Sequence, residues 1–287
     1  MRKSPNLQRL LQLRSMRKMI NYMNINIPLI GFGTYDIPRS KTEYCVRIAI
    51  DLGYRLIDTA QMYGNEAEVG KAVRDCGIPR EELFVQTKIS SPCLSVQSAI
   101  DSFHKSFDRM GLDYLDLMFI HWPQGGETET WKALEQMQRE GLVKHIGVSN
   151  FYPRMWEKLW DEAEIKPYLN QIEANVFYQQ RPMREYMKKY DCLVQAWQPL
   201  GEGKKKLFAN PILLEIGKRY GKSAAQVALR YLTQLGICVI PRSANPEHIK
   251  ENLDILDFTL TEQEMNQIQS LDTGHSQYGW PSDAWSY

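Results

Sequence analysis

Short apolar runs rich in β-branched residues alternate along this chain with longer segments in which apolar residues recur every three or four positions. Ile100, Phe103, Phe107 and Met110, for example, follow one another at helical spacing, which favours an amphipathic helix. Eight apolar runs have the length and composition of strands, and they span residues 27–35, 54–59, 83–90, 114–121, 144–149, 168–174, 193–198 and 238–241. Strands that alternate with helices predict a parallel sheet joined by helical crossovers.

The spacing of these strands indicates how the sheet closes. The ends of four consecutive predicted strands fall near Asp58, Lys88, His121 and Asn150, which are 30, 33 and 29 residues apart. Each interval fits one strand, one helix and two loops, and eight such units close as an α/β fold of the (β/α)8 TIM-barrel type. The pattern alone leaves an open doubly wound sheet as the alternative. Because no linker or shift in composition divides the chain after its first 23 residues, residues 24–287 are predicted to form one (β/α)8 domain.

The first 23 residues differ in composition from the remainder. The first acidic residue is Asp36, and six basic residues precede it, namely Arg2, Lys3, Arg9, Arg14, Arg17 and Lys18. The segment lacks the continuous apolar core of a secretory signal. We therefore expect residues 1–23 to be a disordered basic extension outside the fold. An Arg-rich organelle-targeting segment, or a translation start at Met19 or Met23, is the alternative.

The overall composition argues against several kinds of partner. Lys and Arg number 35 and Asp and Glu 34 among 287 residues, a net charge of +1, which is not the basic excess of a nucleic-acid-binding protein. No apolar run approaches the roughly 18 residues of a membrane-spanning helix. The five cysteines are scattered and include no Cys-x-x-Cys pair, which argues against a disulfide framework or a metal site and fits a reducing compartment, the cytoplasm. The expected partner is therefore a small molecule.

Polar side chains follow three successive predicted strands. Asp58, Lys88 and His121 each follow an apolar run, and Tyr63 lies five residues beyond Asp58. In a barrel the carboxyl ends of the strands meet at the active site, and buried charges must be paired, so Asp58 and Lys88 are expected to pair. The Lys88 cation would lower the pKa of Tyr63 from about 10 and make it a proton donor or acceptor near neutral pH. Each residue taken singly also fits a structural role; their joint placement predicts chemistry.

Longer motifs surround these four residues. They are Leu56-Ile57-Asp58-Thr59-Ala60, Tyr63-Gly64-Asn65-Glu66, Thr87-Lys88, Ile120-His121-Trp122-Pro123, Gly147-Val148-Ser149-Asn150-Phe151, Asn170-Gln171-Ile172-Glu173, Gln198-Pro199-Leu200-Gly201 and Ile240-Pro241-Arg242-Ser243. Over about residues 25–280 the sequence resembles the aldo-keto reductases. The resemblance implies a (β/α)8 barrel that binds NADPH in an extended form and reduces a small-molecule aldehyde or ketone, and we expect a monomer or weak dimer.

The resemblance also assigns roles to the strand-end residues. It implies that Tyr63 is the general acid, that Lys88 together with Asp58 tunes it, and that His121 orients the substrate carbonyl. Hydride would pass from the nicotinamide to the carbonyl carbon while Tyr63 protonates the oxygen.

Further positions match the family's cofactor-binding residues. The resemblance implies that Ser149, Asn150 and Gln171 hold the nicotinamide carboxamide and that Trp197, where the family commonly has Tyr, stacks on the ring. Leu200 and Gly201 are also expected to bind the cofactor. The Gly- and Lys-rich segment after Leu200, residues 201–206, either wraps the diphosphate or is a solvated loop.

A separate set of residues matches the family's contacts to the adenine end of the cofactor. The resemblance implies that Arg242 and Ser243 bind the 2′-phosphate of NADPH, to which Arg offers a bidentate fork. His248 stands where the family usually has a second Arg, which weakens the expected preference for NADPH over NADH. Glu251 and Asn252 match the pair that contacts adenine.

Short loops indicate the substrate class. Residues 122–130 lead directly from His121 into a helix, and only sixteen residues follow Leu271. Such short walls resemble microbial members such as the 2,5-diketo-gluconate and methylglyoxal reductases, which act on small dicarbonyls, keto-sugars and aldehydes. Four aromatic residues are predicted to line the substrate pocket, namely Tyr35, Trp122, Phe177 and Trp280.

Two other functions are compatible with a barrel of this kind. One is a nucleotide-binding regulatory barrel with little turnover, which would not need Tyr63, Lys88 and His121 together. The other is an unrelated phosphate-binding barrel enzyme in which Lys88 forms a Schiff base. The intact tetrad and the Arg242-Ser243 pair favour the reductase.

Overall fold

The computed structural model describes residues 19–22, 25–90, 92–201, 205–276 and 278. In these residues the strands are β1 Met19–Tyr22, β2 Ile25–Pro28, β3 Phe32–Gly33, β4 Leu56–Asp58, β5 Phe84–Ile89, β6 Leu115–Ile120, β7 Val143–Ser149, β8 Leu169–Glu173, β9 Leu193–Trp197 and β10 Cys238–Val239. Strands β3 to β10 form one parallel sheet in chain order. A parallel bridge between Ile30 and Val239 joins its two edges, and the predicted (β/α)8 barrel is confirmed.

The helices accompany the barrel strands, and local sequence signals fix several of their ends. They are α1 Arg39–Leu52, α2 Glu66–Asp75, α3 Val96–Met110, α4 Glu127–Arg139, α5 Pro153–Glu162, α6 Arg181–Lys188, α7 Lys205–Phe208, α8 Pro211–Tyr220, α9 Ala224–Gln234, α10 Pro246–Leu253 and α11 Glu262–Gln269, with 3₁₀ turns at Gln61–Tyr63 and Arg80–Glu82. Helix α9 begins with a capping box formed by Ser223 and Gln226, which satisfies its first free N–H groups. Helix α1 ends at Gly53, whose φ of 116° suits glycine.

The first predicted strand is divided in two. A single strand over residues 27–35 was predicted, but β2 pairs with β1 in an antiparallel hairpin, and β3 is a separate barrel strand. At Gly31, between them, a Cβ atom would stand 2.2 Å from Leu56 Cδ2, so a side chain there would displace that of Leu56 on β4. Because β1 begins at Met19, the fold includes four residues of the expected extension; residues 1–18 and 23–24 lie outside the described residues.

Inward-facing side chains change from apolar to polar along the barrel strands. The apolar end of the interior is formed by Ile27, Leu56, Phe84, Leu117, Phe119, Tyr168, Leu169, Leu193, Cys238 and Ile240. Because strand side chains alternate with a period of two, the next inward positions on β4, β5, β8 and β9 are Asp58, Gln86, Gln171 and Gln195, all of them buried. These four residues, which we call the polar layer, lie between the apolar cluster and the carboxyl ends of the strands.

Three further observations concern the described residues as a set. No helix among them is long and apolar enough to cross a membrane. Their side chains include no cluster of His, Cys, Asp and Glu arranged to hold a metal ion. The five cysteines are free thiols.

Candidate active site

A cavity of about 1060 Å³ opens among the loops that follow the barrel strands, at the end where active sites of this architecture lie. Most of the residues predicted from the sequence are on its wall, namely Tyr35, Asp58, Tyr63, His121, Trp122, Ser149, Asn150, Gln171, Trp197, Leu200, Arg242, Ser243, His248, Glu251 and Asn252. Lys88 is fully buried directly behind Asp58. The structure thus brings the four strand-end residues and the predicted cofactor residues to one cavity.

Lys88 and Asp58 form a buried ion pair at one side of this cavity. Lys88 Nζ lies 2.7 Å from Asp58 Oδ1 and 2.8 Å from Oδ2, and it also donates to the carbonyl oxygen of Thr59 at 2.9 Å. Burial lowers the pKa of Lys88, and the charge of Asp58 opposes this shift. A buried charge requires such compensation, because its desolvation is costly. The predicted pairing of the two residues is confirmed.

Tyr63 contacts this ion pair from the cavity side. It ends the 3₁₀ turn Gln61–Tyr63, which is held in place because Gln61 Oε1 accepts a hydrogen bond from Ser90 N at 2.9 Å. The turn places the Tyr63 hydroxyl 3.4 Å from Lys88 Nζ. The phenol therefore touches both the buried ammonium and the space where a substrate would bind.

The protonation of Tyr63 differs from the expectation drawn from the sequence. We expected Lys88 to lower the pKa of Tyr63, but burial, with added effects of Asp58 and Tyr35, raises it well above its ordinary value. Burial and the negative charge of Asp58, which contacts Lys88 through both carboxylate oxygens, outweigh the effect of the cation on this pKa. The phenol is therefore protonated throughout the neutral pH range, which suits a proton donor.

His121 lies beside Tyr63 as a neutral imidazole. Burial, together with the positive charge of Lys88, lowers the pKa of His121 well below 6.5. Its ring lies edge-on to that of Tyr63, with centroids 5.8 Å apart, and stacks on Trp122 at the same separation. A neutral imidazole carries one N–H donor and one acceptor nitrogen, so His121 presents polarity without charge.

The next part of the wall combines amide and hydroxyl groups with an indole. Trp197 Nε1 donates to Asn150 Oδ1 at 2.8 Å, and Asn150 Nδ2 donates to Ser149 Oγ at 3.0 Å. Ser149 Oγ in turn donates to the carbonyl oxygen of Gln171 at 2.9 Å. Asn150 has a φ of 64°, a conformation that Asn tolerates better than most residues. The chain of hydrogen bonds fixes the position of the Trp197 ring.

The part of the cavity wall that contains Arg242 and Ser243 is more exposed, and Arg242 gives it a positive charge. Arg242 is 40% exposed, and its Nη2 lies 2.7 Å from Oδ2 of Asp36, which is 69% exposed. The Ser243 hydroxyl oxygen accepts a hydrogen bond from the backbone N–H of Asn245 at 3.0 Å, and Asn245 caps the start of α10. Helix α10 carries the remaining predicted residues, including His248, to the same wall.

Besides Lys88, three predicted residues are not on the described wall. The backbone N–H groups of Phe177 and Tyr178 both donate to Asn175 Oδ1, at 3.0 and 3.1 Å. This tight turn directs Phe177 into the core, where it is 4% exposed, so its expected role as a pocket liner is corrected. Gly201 is buried next to Leu200 and does not line the cavity. Trp280 and residues 202–204 lie outside the described residues.

Conversely, three exposed apolar side chains on this wall were not predicted from the sequence. Met62 is 64% exposed, Phe208 42% and Tyr278 37%, and all three line the cavity. Met62 could have been found from the sequence, because it is an apolar residue inside the polar turn that carries Tyr63. Phe208 is the last residue of α7, whose four residues are too few to show a helical period, and Tyr278 lies in the segment that follows α11.

The chemistry of this wall fits a nicotinamide dinucleotide. The indole of Trp197 offers a flat face for a planar ring, and the neighbouring amides of Asn150 and Gln171 suit a carboxamide. Arg242 supplies a guanidinium of the kind that binds phosphate. The donor set therefore matches both ends of the cofactor that was expected.

Comparisons with known proteins agree with this geometry. The sequence profile of the aldo/keto reductase family matches residues 29–273. A 9,11-endoperoxide prostaglandin H2 reductase of Trypanosoma cruzi is 41% identical over 251 residues, which cover 86% of this chain and 89% of that protein. The crystal structure of an aldo-keto reductase from a Medee basin deep-sea metagenome library is 39% identical, with a TM-score of 0.87 and coverage of 90% of this chain and 96% of that one. A Bombyx mori aldo-keto reductase in complex with NADP is 31% identical, with a TM-score of 0.83 and coverage of 90% and 94%. This chain therefore belongs to the aldo/keto reductase family and is an NAD(P)H-dependent oxidoreductase that acts on carbonyl compounds.

Proposed function

We propose that this protein uses NADPH to reduce aldehydes or ketones to alcohols, with Tyr63 as the general acid. The observation that carries the proposal is the position of the Tyr63 hydroxyl, on the cavity wall and 3.4 Å from the buried Lys88 ammonium. A phenol that is protonated at neutral pH can give its proton to a carbonyl oxygen. A cation beside it stabilises the phenolate that remains.

Tyr63, Lys88 and Asp58 each have a separate role in this proton transfer. Bound NADPH supplies a hydride to the carbonyl carbon. Tyr63 gives its proton to the carbonyl oxygen as negative charge develops there, which leaves the alcohol and a Tyr63 phenolate. Lys88 stabilises the phenolate, and Asp58 holds Lys88 in place through both carboxylate oxygens. A proton from water restores the phenol before the next turnover.

His121 orients the carbonyl for this step. Because burial keeps its imidazole neutral, His121 can donate one N–H to the carbonyl oxygen without adding a second positive charge next to Lys88. This leaves Tyr63 as the source of the proton.

The proposed preference for NADPH depends on Arg242, which lies on the exposed part of the cavity wall. Arg242 offers several N–H donors, and its partner Asp36 is on the surface, where an ion pair contributes little to stability. A 2′-phosphate can therefore replace Asp36 as the partner of Arg242. The related silkworm enzyme was crystallised with NADP, which supports the same choice.

The proposed substrates are small dicarbonyls, keto-sugars and aldehydes. Strand β6 ends at Ile120 and α4 begins at Glu127, so the loop that carries His121 and Trp122 is short, as expected. Tyr35, Trp122 and Tyr278 present aromatic faces to the cavity. A short, aromatic-lined wall suits compact carbonyl compounds.

A carbonyl panel tests this function directly. Loss of reduced-nicotinamide absorbance is measured with purified protein, NADPH or NADH, and methylglyoxal, a keto-sugar, an aromatic aldehyde and a bulky steroid ketone. We expect turnover of the small carbonyls with NADPH preferred. Binding of NADPH without turnover of any compound would contradict the proposal and favour a regulatory nucleotide-binding barrel.

A further inference from the structure

The polar layer is a hydrogen-bonded unit that spans the barrel interior. Gln86 Nε2 donates to Asp58 Oδ1 at 2.6 Å and to Gln195 Oε1 at 2.7 Å. Gln171 Nε2 donates to the same two oxygens, at 3.0 and 2.6 Å. Each of the four side chains is at most 2% exposed, so water does not compete for these bonds.

The carboxylate of Asp58 fixes which way each amide faces. A carboxylate accepts hydrogen bonds and does not donate them, so Gln86 and Gln171 both present Nε2 to it. Gln195 must then present Oε1, because two Nε2 groups face it; its own Nε2 donates to Cys238 Sγ at 3.3 Å and to Gln86 Oε1 at 3.4 Å. Reversal of one amide would bring like atoms together and leave buried polar groups unpaired, which is costly.

This orientation determines what Gln171 offers to the cavity. Gln171 and Asp58 are the members of the polar layer that line the cavity. The Nε2 of Gln171 is bonded within the layer, and among the described residues no donor bonds to its Oε1. The neighbouring Asn150 differs, because its Oδ1 already accepts from Trp197 and its Nδ2 donates to Ser149. Gln171 therefore carries an amide acceptor that is available to a ligand on this part of the wall.

We propose that Gln86 and Gln195 are positioning residues that hold the Gln171 amide with its Oε1 toward the cavity, where it accepts a hydrogen bond from the carboxamide N–H of the nicotinamide. The inference rests on the proposed function, because it requires a nicotinamide cofactor. Gln86 and Gln195 do not line the cavity and act through Gln171. Methionine at either position would keep the length of the side chain and release the amide of Gln171 from its fixed orientation.

The test compares the binding of NADP⁺ with that of two cofactor analogues, measured by quenching of tryptophan fluorescence. The acetylpyridine analogue has lost the carboxamide N–H donors, whereas the thionicotinamide analogue keeps them. We expect the wild type to bind NADP⁺ roughly three- to tenfold more tightly than the acetylpyridine analogue, the effect of about one neutral hydrogen bond. In Gln86→Met and Gln195→Met the ratio of the affinity for NADP⁺ to that for the acetylpyridine analogue should fall toward one, as in Gln171→Met. The ratio of NADP⁺ to the thionicotinamide analogue stays at the wild-type value.

A buried glutamine outside the cavity wall provides the matched control. Gln179 is fully buried, and its amide bonds the carbonyl oxygen of Val176 at 2.9 Å and the Tyr231 hydroxyl at 2.7 Å, so Gln179→Met should leave both ratios unchanged. An unchanged acetylpyridine ratio in a folded Gln86→Met or Gln195→Met protein overturns the positioning role, and either variant suffices if the other fails to fold. If the wild type binds neither NADP⁺ nor NADPH, the proposed function itself is overturned.

Discussion

Two ion pairs on the same cavity have the same separation and opposite surroundings. Lys88 and Asp58 approach to 2.7 Å with side chains 0% and 2% exposed. Arg242 and Asp36 also approach to 2.7 Å, but their side chains are 40% and 69% exposed. The distance between the charges therefore does not distinguish the two pairs, whereas access to water does.

The difference in burial assigns different tasks to the two pairs. Loss of one partner from a buried pair leaves an unpaired charge and costs about 3–5 kcal/mol, whereas an exposed pair contributes about 0–1 kcal/mol. The pair Lys88–Asp58 is thus a fixed part of the site and can hold Tyr63 in one geometry. The pair Arg242–Asp36 opens at little cost, which suits the proposed role of Arg242 in binding the 2′-phosphate.

The strongest test of this contrast is Lys88→Met. We expect kcat to fall by at least as much as in Tyr63→Phe, and stability to fall by about 3–5 kcal/mol, because Asp58 is left as an unpaired buried carboxylate. Steady-state kinetics and urea unfolding measure the two effects. The double variant Lys88→Met/Asp58→Asn should recover stability without activity. Wild-type kcat in Lys88→Met would remove Lys88 from the mechanism.

Tyr63→Phe should affect catalysis and little else. The variant lacks the proton donor, and general acid catalysis is worth roughly 10²–10⁴-fold, so kcat should fall within that range. Tyr35→Phe is the matched control, because the Tyr35 ring packs against Tyr63 with centroids 5.1 Å apart and lines the same cavity. The Kd of NADPH, measured by fluorescence, should remain near the wild-type value in both. Retention of kcat in Tyr63→Phe would contradict its assignment as the acid.

Arg242→Ala should change cofactor choice rather than catalysis. A hydrogen bond to a charged group contributes roughly 1.5–3 kcal/mol, so the preference for NADPH over NADH should fall by about 10- to 100-fold. The Kd values of both cofactors decide this, and kcat at saturating cofactor should be nearly unchanged. If the preference is unaffected, the 2′-phosphate is bound elsewhere on the wall.

Asp36→Asn should produce a smaller effect of the opposite sign. Because Asp36 competes with the phosphate for Arg242, its neutralisation should tighten NADPH binding roughly two- to fivefold, in line with the small energy of an exposed pair. Glu68→Gln is the matched control, since Glu68 forms a comparable surface pair with Arg39 at 2.8 Å and does not line the cavity. Equal effects of the two variants would point to net charge alone. Added salt should reduce the effect of Asp36→Asn.

The pH profile should show the smallest effect, because the buried groups do not titrate near neutrality. The pKa of Tyr63 is raised, so its proton is lost only above the ordinary value near 10, and the pKa of His121 is lowered, so it becomes charged only below about 6.5. Reduction at saturating NADPH should therefore have a flat kcat between these limits. Stability should decline as pH falls below about 6.5, because the unfolded chain then binds a proton at His121 that the folded chain does not. A change in kcat centred near pH 7 would contradict this assignment.

The sequence largely predicted where the buried residues of the site lie, but it did not predict their electrostatics. Asp58, Lys88 and His121 follow apolar runs, and a barrel brings strand ends together whatever the loops do. The direction of the Tyr63 pKa shift was predicted wrongly, because the sequence indicates that Lys88 is near but not how fully Asp58 offsets its charge.

The remaining differences have local or long-range causes that a one-dimensional pattern does not report. Phe177 is turned inward by a hydrogen-bonded turn at Asn175. Gln86 bonds Gln195, 109 residues away, and neither strand sequence indicates that its glutamine has a partner so far along the chain. The exposed residue Phe208 ends the four-residue helix α7, which is too short to show a period, and Tyr278 follows the last helix.

The seam that closes the barrel joins chain segments that are synthesised far apart. Gly31 N–H donates to the carbonyl oxygen of Val239 at 2.8 Å, and Gly33 N–H donates to that of Pro241 at 3.0 Å. Contacts between such distant segments form late and slowly in folding, because a long loop must close first. Gly33 and Arg242 lie on opposite sides of the seam and both line the cavity. A cofactor held there bridges the first and last barrel strands, and at a concentration a hundredfold above Kd it adds about 2.7 kcal/mol to the stability of the closed barrel.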